Sequence, residues 1–337
     1  MAMIIVMAKL RIFFDTAGAL IIFAKNYFMM KRILLALISL AVLLNGYAVQ
    51  PKETYVFDVI GGDSLRLDFY RANADKPTPV LIFAFGGAFM HGQRDDARYI
   101  PFFEFLADNG VSVVSTDYRT KLKGIHPSDV SSMQELADRL NDAVSSAVTD
   151  FFKATAFTAA HAKEWNINPE QIFACGSSAG AITVLQAETE LCNATSSLPG
   201  FPANFNYAGV VSFAGAVFCY GEPYWRKTPA PMLLFHGNAD SNVPFRSATI
   251  ESFGLWGSEA ISEELAEAGH PVWFHRVDGA DHSIAISPMD ENAGEVLDFI
   301  HAVLAGKLKA RTIVEESGRK NYRTDFSIED YLISNLN

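Results

Sequence analysis

Between residues 79 and 278, short and almost continuously apolar runs alternate with stretches of helical periodicity, which narrows the possible folds more than any other feature of the chain. The runs are PVLIFAF, VSVVSTD, QIFAC, GVVSFAGAV, PMLLFHG and VWFHRVD, and each is bounded by Gly, Pro, Asn or Asp. A strand with one face in water alternates apolar and polar residues, whereas a strand covered on both faces of a parallel sheet is apolar throughout. Helical stretches lie around and between them, among them YIPFFEFLADNG, AGAITVLQAETEL, SEAISEELAEAGH and NAGEVLDFIHAVLAGK, with a long one from Ser131 to Trp165. This order predicts an α/β chain with a mostly parallel, doubly wound sheet. Upstream, TYVFDVI and LRLDFY flank Gly61-Gly62-Asp63, which predicts an antiparallel hairpin at the start of that sheet.

The 337 residues, half of them hydrophobic, are enough for one large globular domain or two small ones. A formal charge of −11, with basic residues scattered singly, lacks the basic patch of a nucleic-acid binder, so no nucleic-acid partner is expected. At the N-terminus, Lys31 and Arg32 precede an apolar run from Ile33 to Leu44, and Gly46 and Ala48 supply the small residues of a cleavage site. Residues 30–48 therefore read as a secretory signal, which predicts a secreted or periplasmic protein with no stable membrane partner. A run this short falls below the roughly 20 apolar residues that a bilayer requires. Residues 1–29 read as an apolar leader upstream of the true start at Met30, the alternative being a two-part membrane anchor. The folded domain is expected over 49–310, and the more polar residues 311–337 form a C-terminal extension, either packed or mobile. Three cysteines make no complete disulfide framework; Cys192 and Cys219 could pair, and Cys175 sits in an apolar run as a buried thiol.

Between the run QIFAC and the helical stretch AGAITVLQAE stands Gly176-Ser177-Ser178-Ala179-Gly180, a G-x-S-x-G turn in its strand-turn-helix context. Glycines two residues either side of Ser178 let the chain turn sharply and raise the hydroxyl above the sheet edge, at a helix N-terminus that favours nearby negative charge. Ser177 lacks that spacing and reads as a structural turn residue. A serine hydroxyl needs a base to take its proton and an acid to orient the base. In this arrangement both must follow the serine, beyond the ends of later strands. Asp240 follows PMLLFHG and His282 follows VWFHRVD. Asp278 and Asp281 are closer to His282 in the chain but share its loop, and Asp281 reads as a solvated or turn carboxylate. His236 also stands at a strand end, but before Gly237 and before the acid, which assigns it a structural role; the other histidines have no matching context.

Negative charge on a carbonyl oxygen calls for fixed donors. Gly87 and Ala88, in the small-residue turn after PVLIFAF, and Ala179, directly after Ser178, are the expected backbone donors. Phe89 is a candidate substrate contact. The stretch FCYGEPYWRKTPA is too short for a large cap, which leaves an open cleft bordered by aromatics such as Phe89, Tyr220, Tyr224 and Trp225.

FGGAF resembles the HGGGF or HGGAW signature of the hormone-sensitive-lipase-like and bacterial carboxylesterase branches of the α/β-hydrolase superfamily, with Phe85 in place of the histidine. VVSTDYR, NINPEQIFACGSSAG and HGNAD are similar to motifs of the same family, and the likeness runs from Pro79 to His282. The resemblance implies an α/β-hydrolase fold and a secreted serine esterase. It would act on short acyl or aryl esters, with acetyl or feruloyl groups on polysaccharides among them, and use neither metal nor cofactor. Losing the histidine leaves open how the Gly86–Gly87 loop is braced. Two other functions fit parts of the pattern: a prolyl-oligopeptidase-like exopeptidase, for which no gating domain precedes the site, and a non-catalytic binding protein on a hydrolase scaffold, for which nucleophile or base should be lost.

Overall fold

The computed structural model describes residues 52–194, 201, 205–250, 253–327, 330 and 334–335. The expected leader and secretory signal lie outside the described residues. Two glycines open the architecture: Gly61 and Gly62 both take positive φ, as a two-residue hairpin turn requires. They join β1 (Glu53–Ile60) to β2 (Asp63–Tyr70) in antiparallel register, Glu53 opposite Phe69. The apolar runs become β3 (Thr78–Ala84), β4 (Ser112–Thr116), β5 (Ile167–Ser177), β6 (Gly209–Phe213), β8 (Met232–Gly237) and β11 (Val272–Asp278). With β12 (Arg311–Glu316), the nine-stranded sheet has the order β1-β2-β4-β3-β5-β6-β8-β11-β12 and is parallel from β4 onward.

The helices are α1 (Ile100–Asp108), α2 (Met133–Ala160), α3 (Ala162–Trp165), α4 (Ala179–Asn193), α5 (Ser258–Glu267), α6 (Pro288–Glu291) and α7 (Ala293–Leu304). Helix α2 packs against α4, and α1 against α7, as a sheet wound on both faces needs. At the start of α2 the Ser132 hydroxyl accepts the Glu135 N–H, and the Glu135 carboxylate accepts the Ser131 N–H, which satisfies two otherwise orphaned donors. Phe83, Val113, Phe173, Val211 and Leu233 are fully buried on the central strands, and Trp165 stacks on Phe69 at 4.4 Å. Each such side chain contributes about 1.5–3 kcal/mol of burial free energy. That is why the runs needed no polar alternation.

Three features depart from the sequence reading. GVVSFAGAV is two strands rather than one: the chain turns at Ala214, which has positive φ, and Ala216–Tyr220 leaves the main sheet as β7. With β9 (Ser247–Ile250) and β10 (Phe253–Gly257) it forms a separate three-stranded antiparallel sheet, order β7-β10-β9. Residues 311–337 do not begin outside the domain, because Arg311–Glu316 form β12 and pair in parallel with β11 as the ninth strand. Its side chains are nearly all exposed, the mark of an edge strand, so no apolar run announces it. Between β6 and β8 no helix intervenes. All three cysteines are free thiols: Cys192 donates to the Glu188 carboxylate, and burial pushes the Cys175 thiol well above its ordinary range.

Candidate active site

Strand β5 runs into α4 through Ser178, whose φ of 51° and ψ of −117° lie outside the ordinary wells for a residue with a side chain. The turn closes because two positions carry no Cβ: one on Gly176 would run into the Gly180 carbonyl, and one on Gly180 into the Ala84 carbonyl of β3. Backbone thus lies on backbone on both sides of the serine. The Ser178 N–H donates to Phe213 O of β6 at 2.9 Å, which ties the strained residue to the neighbouring strand. Ser177 has the structural part expected of it. Its buried hydroxyl donates to Ala285 O at 2.7 Å and so locks the turn to the segment that carries His282.

The hydroxyl, imidazole and carboxylate named from the sequence meet. His282 opens a short 3-10 turn (His282–Ala285) beyond β11, and its Nε2 lies 2.8 Å from Ser178 Oγ. Asp240, just past β8, takes the Nδ1–H of His282 on Oδ2 at 2.7 Å. A carboxylate can only accept, so Nδ1 carries the hydrogen and Nε2 is free to receive the serine proton. Asp240 Oδ1 accepts the backbone N–H groups of Asn242 at 2.7 Å and Val243 at 3.0 Å. Burial opposes ionisation of this carboxyl, but His282 beside it and a hydrogen bond from His236 outweigh the burial and hold it well below the usual carboxylate range. Asp281 and Asp278 stay out of the arrangement: Asp281 caps the 3-10 turn through the Ser283 N–H, and Asp278 accepts from Asn238 and Arg276.

After β3 the chain turns through Gly87, Ala88 and Phe89 at φ values of 131°, 54° and 59°, three successive positive values that swing the amides of this loop. Gly87 and Ala88 line the cavity that holds Ser178 and His282, while Ala179 is buried directly behind the serine at the start of α4. The brace that replaces the missing histidine is aromatic. Phe85 stacks on Tyr118 at 4.3 Å, and the Tyr118 hydroxyl donates to Phe85 O at 2.7 Å. His91 adds a second tie, its Nδ1–H donating to Gly87 O at 2.7 Å.

Residues 67–217 match the BD-FAE family model. No curated protein sequence matches the chain. Among solved structures, a thermophilic esterase from the Planctomycetes species Thermogutta terrifontis, Est2, superposes with a TM-score of 0.55 at 21% identity, over 76% of this chain and 93% of that one. The same esterase phosphonylated by cyclosarin gives a TM-score of 0.55 at 20% identity, over 77% of this chain and 96% of that one. The chain shares the fold of these esterases.

The cavity beside Ser178, about 630 Å³, differs from the aromatic cleft expected from the sequence. Phe89 does not line it: with positive φ its side chain turns inward, where it is fully buried and meets the Tyr118 ring edge-on at 6.1 Å. Tyr220 and Tyr224 are exposed elsewhere, Trp225 packs against the core, and none of the three reaches the cavity. The wall is instead largely polar, with Gln93, Asp96, Arg98, Asn242, Ser334 and Asn335 among its residues. Asn335 donates to Asn242 O at 2.9 Å, so the far end of the chain is tied to the loop that carries Asp240. No local signal marked these residues, because they come from three distant segments. His236, given a structural role from the sequence, is fully buried with Nε2 3.3 Å from Asp240 Oδ2; the sequence reading did not foresee this contact with the acid, and its place four residues before Asp240 was the available signal. Among the described residues no group of three His, Cys, Asp or Glu is placed to hold a metal ion.

Proposed function

We propose that this chain is a serine hydrolase that cleaves short-chain acyl or aryl carboxylic esters, carbohydrate-linked esters among them, through an acyl-enzyme on Ser178. One observation carries the reading: Ser178 Oγ, His282 and Asp240 are joined by hydrogen bonds of 2.8 and 2.7 Å at a strained turn that opens into a cavity. In the first half-reaction His282 Nε2 takes the Ser178 proton, and Oγ attacks the ester carbonyl carbon. The resulting oxyanion lies toward the N–H groups of Gly87, Ala88 and Ala179, and its collapse expels the alcohol with the proton held on His282. Water repeats the sequence and releases the acid. Asp240 stabilises the imidazolium formed in each half without itself taking the proton.

The neighbouring esterase is seen with propionate and with butyrate bound, which supports short acyl groups here. A wall that holds Gln93, Asn242, Ser334 and Asn335 offers amide and hydroxyl groups to a hydroxyl-bearing alcohol. Export through the signal at residues 30–48 belongs to the same reading, and N-terminal sequencing of the protein recovered outside the cytoplasm tests it.

The deciding experiment compares wild type and Ser178→Ala on p-nitrophenyl acetate and on an aminoacyl p-nitroanilide, with paraoxon labelling followed by mass spectrometry. The reading expects ester turnover in the wild type, little on the amide, a phosphoryl adduct on Ser178, and loss of turnover in the variant. Turnover retained by Ser178→Ala, or an adduct on another residue, overturns it.

A further inference from the structure

We propose that His236 is a positioning residue of this site, a second imidazole that holds Asp240 Oδ2 in line with His282; the inference rests on the hydrolytic reading above. Three observations carry it. His236 Nε2 lies 3.3 Å from Asp240 Oδ2 and 3.3 Å from Val243 O, and its Nδ1 lies 2.9 Å from Ser258 Oγ at the start of α5. Both side chains of the His236–Asp240 pair are fully buried. A carbonyl can only accept, so the hydrogen sits on Nε2, shared between Val243 O and the carboxylate, and Nδ1 receives the Ser258 hydroxyl.

The need for such a residue follows from how Asp240 is held. Its Oδ1 is pinned by two backbone N–H groups, those of Asn242 and Val243. One anchored oxygen leaves the carboxylate free to swing Oδ2 about that anchor. His282 cannot restrain the swing alone, since its side chain is 22% exposed and it must stay free to pass a proton. The rigid partner is His236, on the central strand β8, with its ring edge-on to Phe245 at 5.5 Å and its far nitrogen fixed by Ser258. Oδ2 thus lies between a fixed imidazole and a working one. Two backbone N–H groups on Oδ1, with His282 at 2.7 Å and His236 at 3.3 Å from Oδ2, leave the carboxylate a single orientation.

The test is a double-mutant cycle read in kcat and KM on p-nitrophenyl acetate. His236→Phe removes both nitrogens and keeps a ring; it should lower kcat about 10- to 100-fold, the scale of a small misplacement of reacting groups, with KM within about twofold. His236→Gln places an amide N–H near the position of Nε2 and should regain most of the loss. In an Asp240→Asn background the same His236→Phe change should cost less than about twofold, because its route of action is gone. Paraoxon labelling of Ser178 supplies the rate where turnover is too slow. Should His236→Phe fail to fold, Ser258→Ala replaces it, with a loss of about 2- to 5-fold expected in the native background and none beside Asp240→Asn. A full-sized effect that persists beside Asp240→Asn, or a change confined to KM, overturns the inference. Either result leaves the nucleophile assignment intact, which fails only if Ser178→Ala keeps its activity.

Discussion

The cavity has one side made of backbone and another made of side chains. Around Ser178, the chain is held by contacts that involve no flexible group: Gly176 lies on the Gly180 carbonyl, Gly180 on the Ala84 carbonyl, and the Ser178 N–H on Phe213 O. Across the cavity, Asn242, Ser334 and Asn335 are half-buried, and Arg98 pairs at 2.7 Å with Asp96 while its own side chain is 62% exposed. Exposed pairs of that kind contribute little to stability. The difference teaches that the reacting atoms are placed by the sheet itself, whereas the shape offered to a substrate is set by side chains from loops and the end of the chain, where change is tolerated.

Four outcomes would sharpen or break this contrast. The largest is expected from Ser178→Ala, which should cut turnover of p-nitrophenyl acetate by about 10⁴-fold or more while leaving the thermal midpoint near that of the wild type. Next, Gly180→Ala forces a Cβ onto backbone that cannot yield, and equilibrium urea unfolding should show a loss of about 1–3 kcal/mol or more together with inactivity. A fully stable and active Gly180→Ala would remove the claim that backbone contact fixes the serine.

The third outcome concerns pH. Burial lowers the affinity of His275 for a proton, but its hydrogen bond to Glu295 at 2.7 Å and the charge of Glu315 outweigh the burial and raise its pKa above the ordinary value. A raised folded value means that the stabilisation is complete below the unfolded pKa of about 6.5 and is lost as pH rises through the folded value. Denaturation of wild type and His275→Gln should therefore differ most below that value and converge in alkaline solution. A gap that widens with rising pH would refute the assignment. The smallest effect belongs to Asn335→Ala, which should raise KM for esters of bulky, hydroxylated alcohols about 2- to 5-fold and leave kcat within twofold, since half-buried hydrogen bonds of the wall, and none to the reacting atoms, are at stake. A collapse of kcat there would mean that the side-chain wall also places the reacting atoms.

The elbow, the acid and the base were legible because each depends on short-range grammar. Gly176-x-Ser178-x-Gly180 between an apolar run and a helix specifies its own turn, and Asp240 and His282 each lie within a few residues of a strand end. Phe89 misled because its neighbours Gly87 and Ala88 do line the cavity, while the sign of φ at residue 89, which sends the ring into the core, is not written in residue type. Strand β9 has only four residues, β10 is short and interrupted by Gly254, and β12 is exposed along almost its whole length, so no periodicity set them apart from loops.

From residue order alone came the α/β winding, the sharp turn at Ser178 and the succession of serine, acid and base, because continuous apolarity and paired glycines act on the chain within a few residues. Only the tertiary structure decided that His236 would share the Asp240 carboxylate, that Tyr118 would brace the loop after β3, and that Ser334 and Asn335 would close the cavity. The Tyr118 and Asn335 contacts join segments tens to more than two hundred residues apart, and His236, only four residues before Asp240, meets it because the turn after β8 folds back, so the partners are chosen by how strands and loops come together in space rather than by any local preference of the residues themselves.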